Sequence, residues 1–337
     1  MKKAVIMIIC LTLALSGNFA SLGESNITRL SSSGRIVGIA WRADTDNEFC
    51  TNVIKAVEAV GGIPVILDQV RSADLEYDEN GKLSEGVNAM GALTEEAGKL
   101  VRINTWYGSN AAEVIGEIDA VIFTGGEDIS PSLIFSQPSW HGIVAEIDHN
   151  AERDVSDYLT MSYCLDHDIP VLGFCRGMQM LSVISGAEMI QDIPAYYAEK
   201  GIPYHYAHRN NKTSSDAYRD YAPHSVDIVA DDSLLHRIFD TDKLDGCPSW
   251  HHQAVGSIEN TRLKVTALLE ADGIKIIEAV ERTDKTFAVG LQFHPEAAIV
   301  KHLEGVENAG EFMDYDTAVK IFEYFVNEET SAVPDAA

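Results

Sequence analysis

Basic residues are scarce in this chain. Its 25 Lys and Arg face 52 Asp and Glu, a formal net charge of −27 over 337 residues. No overall positive field is available to hold a phosphate backbone or an anionic membrane surface, so nucleic acid is excluded as an expected partner, although local basic pockets stay open. The acidic residues are spread along the chain and serve solubility rather than forming one tail. Cysteine is also sparse, at five residues. None stands in a CxxC pair or at metal-ligand spacing, so neither a disulfide framework nor a zinc site is indicated. Long hydrophobic runs are missing as well. The run from Ala4 to Leu15 is too short to cross a bilayer. Internal repeats and a composition shift marking a domain linker are absent too.

What is present begins with a targeting pattern. Lys2 and Lys3 precede the apolar run Ala4 to Leu15, and Ser16 to Gly23 is small and polar. Residues 1–23 therefore read as a signal peptide, with export to a periplasm or the exterior expected. Both Ala14-Leu15-Ser16 and the region from Ala20 to Gly23 are usable cleavage sites. Cys10 lacks a small residue before it, so no lipid anchor is expected. After cleavage Cys50, Cys164, Cys175 and Cys247 would remain.

From Gly34 onward the pattern alternates. Arg35 to Trp41 (RIVGIAW) is a β-branched apolar run. Asn47 to Val60 carries apolar residues at helical spacing and stops at Gly61-Gly62, and Ile63 to Leu67 is a second strand. The alternation returns in Asp119 to Phe123, Ala151 to Leu165, Ile169 to Phe174 and Arg176 to Ser185. Such a series predicts an α/β fold, a mostly parallel sheet with helices on both faces, over 34–330. Later strands at His224 to Val229, Leu263 to Leu269, Lys275 to Glu281 and Phe287 to Phe293 have little helix between them, apart from Ser233 to Phe239 with Ser233 as N-cap. Asp272-Gly273 reads as a hairpin turn, and Glu311 to Val326 as a final amphipathic helix. Two irregular stretches, Asp68 to Asn110 and Ala195 to Pro223, are expected at the mouth of a site.

Two motifs carry chemistry. Val171 to Gln179 reads VLGFCRGMQ, which sets Cys175 between Gly173 and Gly177 at a strand-to-helix junction. This is the thiol counterpart of the serine nucleophile elbow, where the turn is so tight that only glycine avoids a clash on either side. The helix N-terminus there favours an anionic sulfur. From the elbow alone, a buried structural cysteine is an equal alternative. Ala288 to Glu296 reads AVGLQFHPE, a strand that delivers His294 to a sheet edge with Glu296 beside it to fix the tautomer and stabilise imidazolium. A histidine at a strand end is ordinarily unremarkable, and the pairing with the elbow is what changes its reading.

These residues together resemble class I glutamine amidotransferases, and more specifically the γ-glutamyl-γ-aminobutyrate hydrolase and γ-glutamyl hydrolase branch of cysteine peptidases. Supporting motifs occur in family order: FTGGEDISP (Phe123 to Pro131), ERD (Glu152 to Asp154), GFCRGMQ, WHHQAV (Trp250 to Val255), DGIKIIEAVE (Asp272 to Glu281) and GLQFHPE. The resemblance implies a flavodoxin-like α/β sheet with extra antiparallel strands, a Cys175, His294 and Glu296 triad, and an oxyanion hole from Gly125, Gly126 and the Arg176 backbone. It puts Gln179 at the substrate and gives His252 or Gln253 to the glutamyl moiety. Arg176 or Arg153 would place the substrate carboxylate, a structural ion pair being the alternative for Arg153. His251 and His252 point apart on a strand, and no carboxylate spacing completes a site, so no metal and no cofactor are expected. The expected partner is a small-molecule or peptide γ-glutamyl substrate, with a homodimer left open. The implied activity is γ-amide hydrolysis through a thioester. The alternatives are a glutaminase subunit supplying ammonia to a synthase and a catalytically silent binding protein.

Overall fold

The structure, a computed structural model, describes residues 34–135, 142, 146–205, 207–209 and 221–327. The signal-peptide reading of residues 1–23 lies outside the described residues. In chain order the elements are β1 (Ile36–Ile39), α1 (Glu48–Ala59), β2 (Ile63–Ile66), α2 (Glu95–Asn104), α3 (Ala111–Ile115), β3 (Ala120–Phe123), α4 (Ala151–Asp166), β4 (Val171–Phe174), α5 (Arg176–Ile184), β5 (Met189–Ile190) and α6 (Ile193–Glu199). They continue with β6 (Ala222–Ile228), α7 (Leu234–Phe239), β7 (Lys243–Ser249), β8 (Ala254–Val255), β9 (Leu263–Ala271), β10 (Ile274–Arg282), β11 (Ala288–Leu291), α8 (Pro295–Leu303), α9 (Tyr315–Ala318) and α10 (Lys320–Asn327).

The strands form one mixed sheet in the order β2-β1-β3-β4-β11-β10-β9-β6-β7. Neighbours from β2 through β11 run parallel, and those from β11 to β7 run antiparallel. The parallel centre follows from composition: β3, β4 and β11 are buried throughout, as strands covered on both faces must be. Successive side chains then divide between two cores. Val121, Phe123 and Val171 join α2, α3, α4 and α5 on one face, whereas Ala120, Ile122 and Leu172 join α1, α8 and α10 on the other. Each large apolar side chain sealed in this way stabilises the fold by roughly 1.5–3 kcal/mol before entropy is counted.

Local signals set several boundaries. The Asn47 side chain caps α1 by accepting from Phe49 N, and Ser233 caps α7 by accepting from His236 N. Asp272 and Gly273, with φ of 53° and 78°, make the two-residue hairpin between β9 and β10.

Other expectations are corrected. The predicted helix over Glu311 to Val326 begins later, because Met313 N donates to Gly246 O at 2.7 Å and holds the chain extended there. Asp314 then caps a new start by accepting from Thr317 N, and the helical stretch is divided into α9 and α10. The stretch Asp68 to Asn110 is not purely irregular, since Thr94 caps α2 within it. Strand β7 is also unforeseen: Asp245-Gly246 and Pro248 look like a turn, but an edge strand tolerates proline.

Candidate active site

The C-terminal ends of β1, β3, β4 and β11 converge on one edge of the sheet, the place where open α/β sheets present ligand-binding loops. Cys175 directly follows β4. Its backbone adopts φ 50° and ψ −105°, a region that costs a non-glycine residue on the order of 1–3 kcal/mol. The flanking glycines are required by close approach. A Cβ on Gly173 would lie 2.5 Å from Gly177 C, and one on Gly177 would lie 2.3 Å from Phe123 O. The elbow therefore exists because β4, α5 and β3 meet without side chains between them. Cys175 N donates to Leu291 O at 2.7 Å, which stitches the elbow to β11, and the thiol points toward Trp250 O at 3.9 Å.

His294 stands just past β11, fully buried, its N–H donating to Pro248 O at 2.8 Å. Its ring stacks on Phe49 at 5.2 Å between centroids and meets Tyr221 edge-on at 5.3 Å. Nδ1 lies 2.6 Å from Glu296 Oε1. Burial opposes a charged ring here, but the Glu296 carboxylate and the Cys175 sulfur outweigh it and raise the His294 pKa to about 10. These contacts favour the protonated imidazole beside Cys175. Cys175, His294 and Glu296 are thus brought together, as the two motifs suggest.

Gly125 and Gly126 follow β3. A Cβ on Gly125 would meet His294 Cε1 at 2.7 Å, and one on Gly126 would meet Arg153 Nη1 at 2.0 Å. Gly125 is crowded by the His294 ring, and Gly126 by the Arg153 guanidinium and its own φ of 144°. Gly126 lines the same pocket as Cys175.

Under the loop lies a charge network. Arg176 is sealed from solvent and pairs with Asp154, at 2.5 Å, and with Asp157. Arg153 pairs with Glu127 at 2.5 Å and donates to Thr124 O at 3.0 Å. Arg42 lies 3.8 Å from Glu127 and donates to Gly125 O at 2.7 Å. Burial alone would raise the Glu127 carboxyl, but Arg153, Arg42 and Arg176 hold it far below the usual range. The expectation that the Arg176 or Arg153 side chain places a substrate carboxylate is corrected, because both guanidinium groups are consumed inside the protein. Only the Arg176 backbone remains for that part of the site.

The pocket above Cys175 has a volume of about 430 Å³ and is lined by Gly126, Gln179, Arg42, Arg209, His252 and Gln253 among others. Gln179 Nε2 donates to Gln253 O at 3.3 Å and Gln292 Oε1 at 3.2 Å, and Gln253 Nε2 donates to Gln191 Oε1 at 3.3 Å. His252 lies between Asp128, 3.1 Å from Nε2, and Asp192, 3.2 Å from Nδ1. Burial works against its charge, but those hydrogen bonds raise its pKa to about 9. Arg209 contacts Glu146 at 2.5 Å. None of the described lining residues comes from Asp68 to Asn110, which packs against α4 instead, as when Leu83 N donates to Glu152 Oε1 at 2.9 Å. That stretch is not at the mouth of this pocket.

Arg42, Glu127, Asp128, Glu146 and Arg209 were not singled out from sequence. A signal existed for three of them. Arg42 stands just beyond an apolar strand end, and Glu127 and Asp128 directly follow the Gly-Gly pair. Glu146 and Arg209 lie in irregular segments with no such marker.

A sheet with a parallel centre, a cysteine elbow after one central strand and a buried His–Glu pair where the adjoining strand leads into α8 define a class I glutamine amidotransferase-like α/β domain. The chain belongs to the peptidase C26 family, whose model matches residues 96–296. Protein NtpR of Enterococcus hirae is 31% identical over 219 residues, 65% of this chain and 78% of that one. The γ-glutamyl-γ-aminobutyrate hydrolase of Escherichia coli is 28% identical over 185 residues, 55% of this chain and 66% of that one. Among solved structures, the Trypanosoma brucei CTPS glutaminase domain with bound acivicin is 17% identical, with a TM-score of 0.43, over 86% of this chain and 92% of that one.

Proposed function

We propose that the protein hydrolyses γ-glutamyl amides through a thioester on Cys175. The observation that carries this reading is the strained elbow cysteine beside a buried histidine whose Nδ1 lies 2.6 Å from Glu296 Oε1, the carboxylate that raises its pKa. A cysteine at a helix N-terminus beside an imidazole that a carboxylate holds in place is the arrangement of an activated thiol nucleophile. Cys175 attacks the γ-carbonyl carbon, and the developing oxyanion takes N–H donors from Gly126 and Arg176. His294 gives its proton to the leaving amine as the tetrahedral intermediate collapses to a γ-glutamyl thioester. A water molecule then loses a proton to His294 and attacks the thioester, and collapse of the tetrahedral intermediate breaks the C–S bond, releasing glutamate and restoring the Cys175 sulfur beside protonated His294.

The pocket's charge pattern supports a zwitterionic head group. Arg209 and His252, with Arg42 held beside them by Asp44 and Glu127, bring positive charge, and Asp44, Asp128, Glu146 and Asp148 bring negative charge around one cavity. An α-carboxylate and an α-ammonium on one carbon require such a mixture. The hydrolase name of the Escherichia coli relative agrees with this substrate class.

The test is incubation with a chromogenic γ-glutamyl anilide, with intact-mass measurement during turnover. Steady anilide release without added synthase, a glutamyl adduct on Cys175 and loss of both in Cys175→Ala are expected. Turnover only of glutamine and only with a synthase partner would favour the glutaminase reading. Tight binding with no adduct would favour a silent binding protein, and full activity in Cys175→Ala would sink the assignment.

A further inference from the structure

Next to the Trp250–Gln253 segment, and reaching the pocket only through His251, lies a second cluster that the proposed reaction does not use. His208, His251 and Glu278 are buried, and one donor atom of each lies within 4.8 Å of the others. His224 adjoins them, also buried. They come from four separate places: the 207–209 segment, β6, the turn after β7, and β10.

The hydrogen bonds of these rings identify which nitrogens are lone pairs. His224 Nδ1 lies 3.1 Å from Ala207 O, and His251 Nδ1 lies 2.8 Å from Gln253 O. A carbonyl oxygen only accepts, so in each ring Nδ1 carries the proton and a neutral ring presents a lone pair at Nε2. Both Nε2 atoms are buried without a hydrogen-bond partner, as are both nitrogens of His208 and both oxygens of Glu278. Five of these six buried atoms face one another across His–Glu contacts, yet none forms a well-aligned hydrogen bond, an arrangement that is rare in native proteins.

The His–Glu separations are of the size that ligands sharing a cation require. His208 Nδ1 is 3.2 Å and His251 Nε2 is 3.7 Å from Glu278 Oε1, and His224 Nε2 is 3.5 Å from Glu278 Oε2. Donors held about 2.0–2.1 Å from a tetrahedral ion stand roughly 3.3 Å apart. We infer that His208, His251 and Glu278, joined by His224 through a shift of its ring from the second Glu278 oxygen, form a structural site for a divalent transition metal of the zinc class. Three imidazoles and one carboxylate are the donor set of a borderline ion such as Zn²⁺ or Co²⁺, not of Ca²⁺ or Mg²⁺, which take oxygen. The carbonyl bonds to His224 and His251 are the outer-shell contacts that hold metal-ligating rings in place.

The sequence argument against a metal was that no carboxylate accompanies the two adjacent histidines. The fold supplies one from β10. His251 and His252 do point apart, His251 into this cluster and His252 into the pocket. The bound ion would fasten the 207–209 segment, whose His208 O already accepts from Ser249 Oγ at 2.8 Å and from His251 N at 3.1 Å. Arg209 and Trp250, which line the pocket, adjoin these ligands in sequence. The inference is independent of which amide, if any, is cleaved.

The experiment uses the full chain purified without chelators. Metal content is measured by mass spectrometry, and chelator-stripped protein is titrated with Co²⁺ and Zn²⁺. About one metal per chain, intense tetrahedral Co²⁺ absorption and a rise in Tm on the order of 5–10 °C with Zn²⁺ are expected. Glu278→Gln and His251→Asn should lose the absorption band. His236→Ala, which disrupts an exposed Asp231, His236 and Asp242 group, should keep it. Where a variant fails to fold, the wild-type titration decides alone. Stripped wild-type protein that gives no Co²⁺ band and no Tm change would overturn the proposal, as would a band that survives in folded Glu278→Gln.

Discussion

Replacing Glu296 by Gln keeps the shape of the side chain and removes its charge. In the native protein Glu296 Oε1 lies 2.6 Å from His294 Nδ1, and the ring pKa rises from 6.5 to about 10. At roughly 1.4 kcal/mol per tenfold change, that rise represents several kcal/mol in favour of imidazolium, of which Glu296 is the largest favourable source. The amide has two orientations. With its oxygen toward Nδ1, the tautomer is kept and the charge is lost. Its NH₂ then occupies the place of Glu296 Oε2, which is buried without a partner, and stability falls by roughly 1–3 kcal/mol. With its NH₂ toward Nδ1, the ring proton is forced to Nε2 and the base is blocked, a change that costs about 10⁴ in kcat in a serine triad. The expected result is a fall in kcat of about 10²–10⁴ with KM changed less than about threefold, since Glu296 does not line the pocket. Steady-state kinetics with the γ-glutamyl anilide read both parameters, and alkylation of Cys175 by iodoacetamide at neutral pH should slow in parallel. A Glu296→Gln enzyme retaining kcat within about threefold, while Cys175→Ala is inactive, would refute the role given to the His294–Glu296 pair.

Gly177→Ala places a Cβ 2.3 Å from Phe123 O, a backbone atom that cannot turn aside, so denaturant titration should show a loss of about 1–3 kcal/mol or more together with loss of turnover. Arg176→Met leaves Asp154 and Asp157 buried without their main cation, so unfolding free energy should drop by about 3–5 kcal/mol; a neutral result would mean the network is dispensable. His252 gives a pH signature. Its folded pKa of about 9 exceeds the 6.5 of an ordinary histidine, so its stabilising contribution is full below about pH 6.5 and is lost as pH rises through about 9. A Tm profile of wild type should fall across that window, with a shallower fall in His252→Gln.

The parallel half of the sheet was legible because its strands are continuous apolar runs between glycine-bounded helices, and Cys175 and His294 sit where such runs end. The elbow was legible for a related reason: close approach of backbones leaves glycine as a visible trace at Gly173 and Gly177. What stayed hidden depends on contacts distant in sequence. Strand β7 contains turn-forming residues that only an edge position allows. Arg176 and Arg153 looked available to substrate, because nothing in the sequence says that Asp154, Asp157 and Glu127 reach them first. Glu278 read as one polar position in a strand, and its three imidazole neighbours come from elsewhere in the fold.

The pairing of β4 with β11 makes the site a gauge of strand register. Phe174 lies opposite Leu291, and Cys175 and His294 are the residues carried just beyond that rung. A slip of one residue would displace the histidine along the strand by about 3.3 Å and turn alternate side chains to the opposite core. Neither Cys175 nor His294 can form the proposed pair within its own motif. Catalytic competence during refolding should therefore appear only once the central sheet has closed in register, which makes turnover a more stringent reporter of correct assembly than helix content.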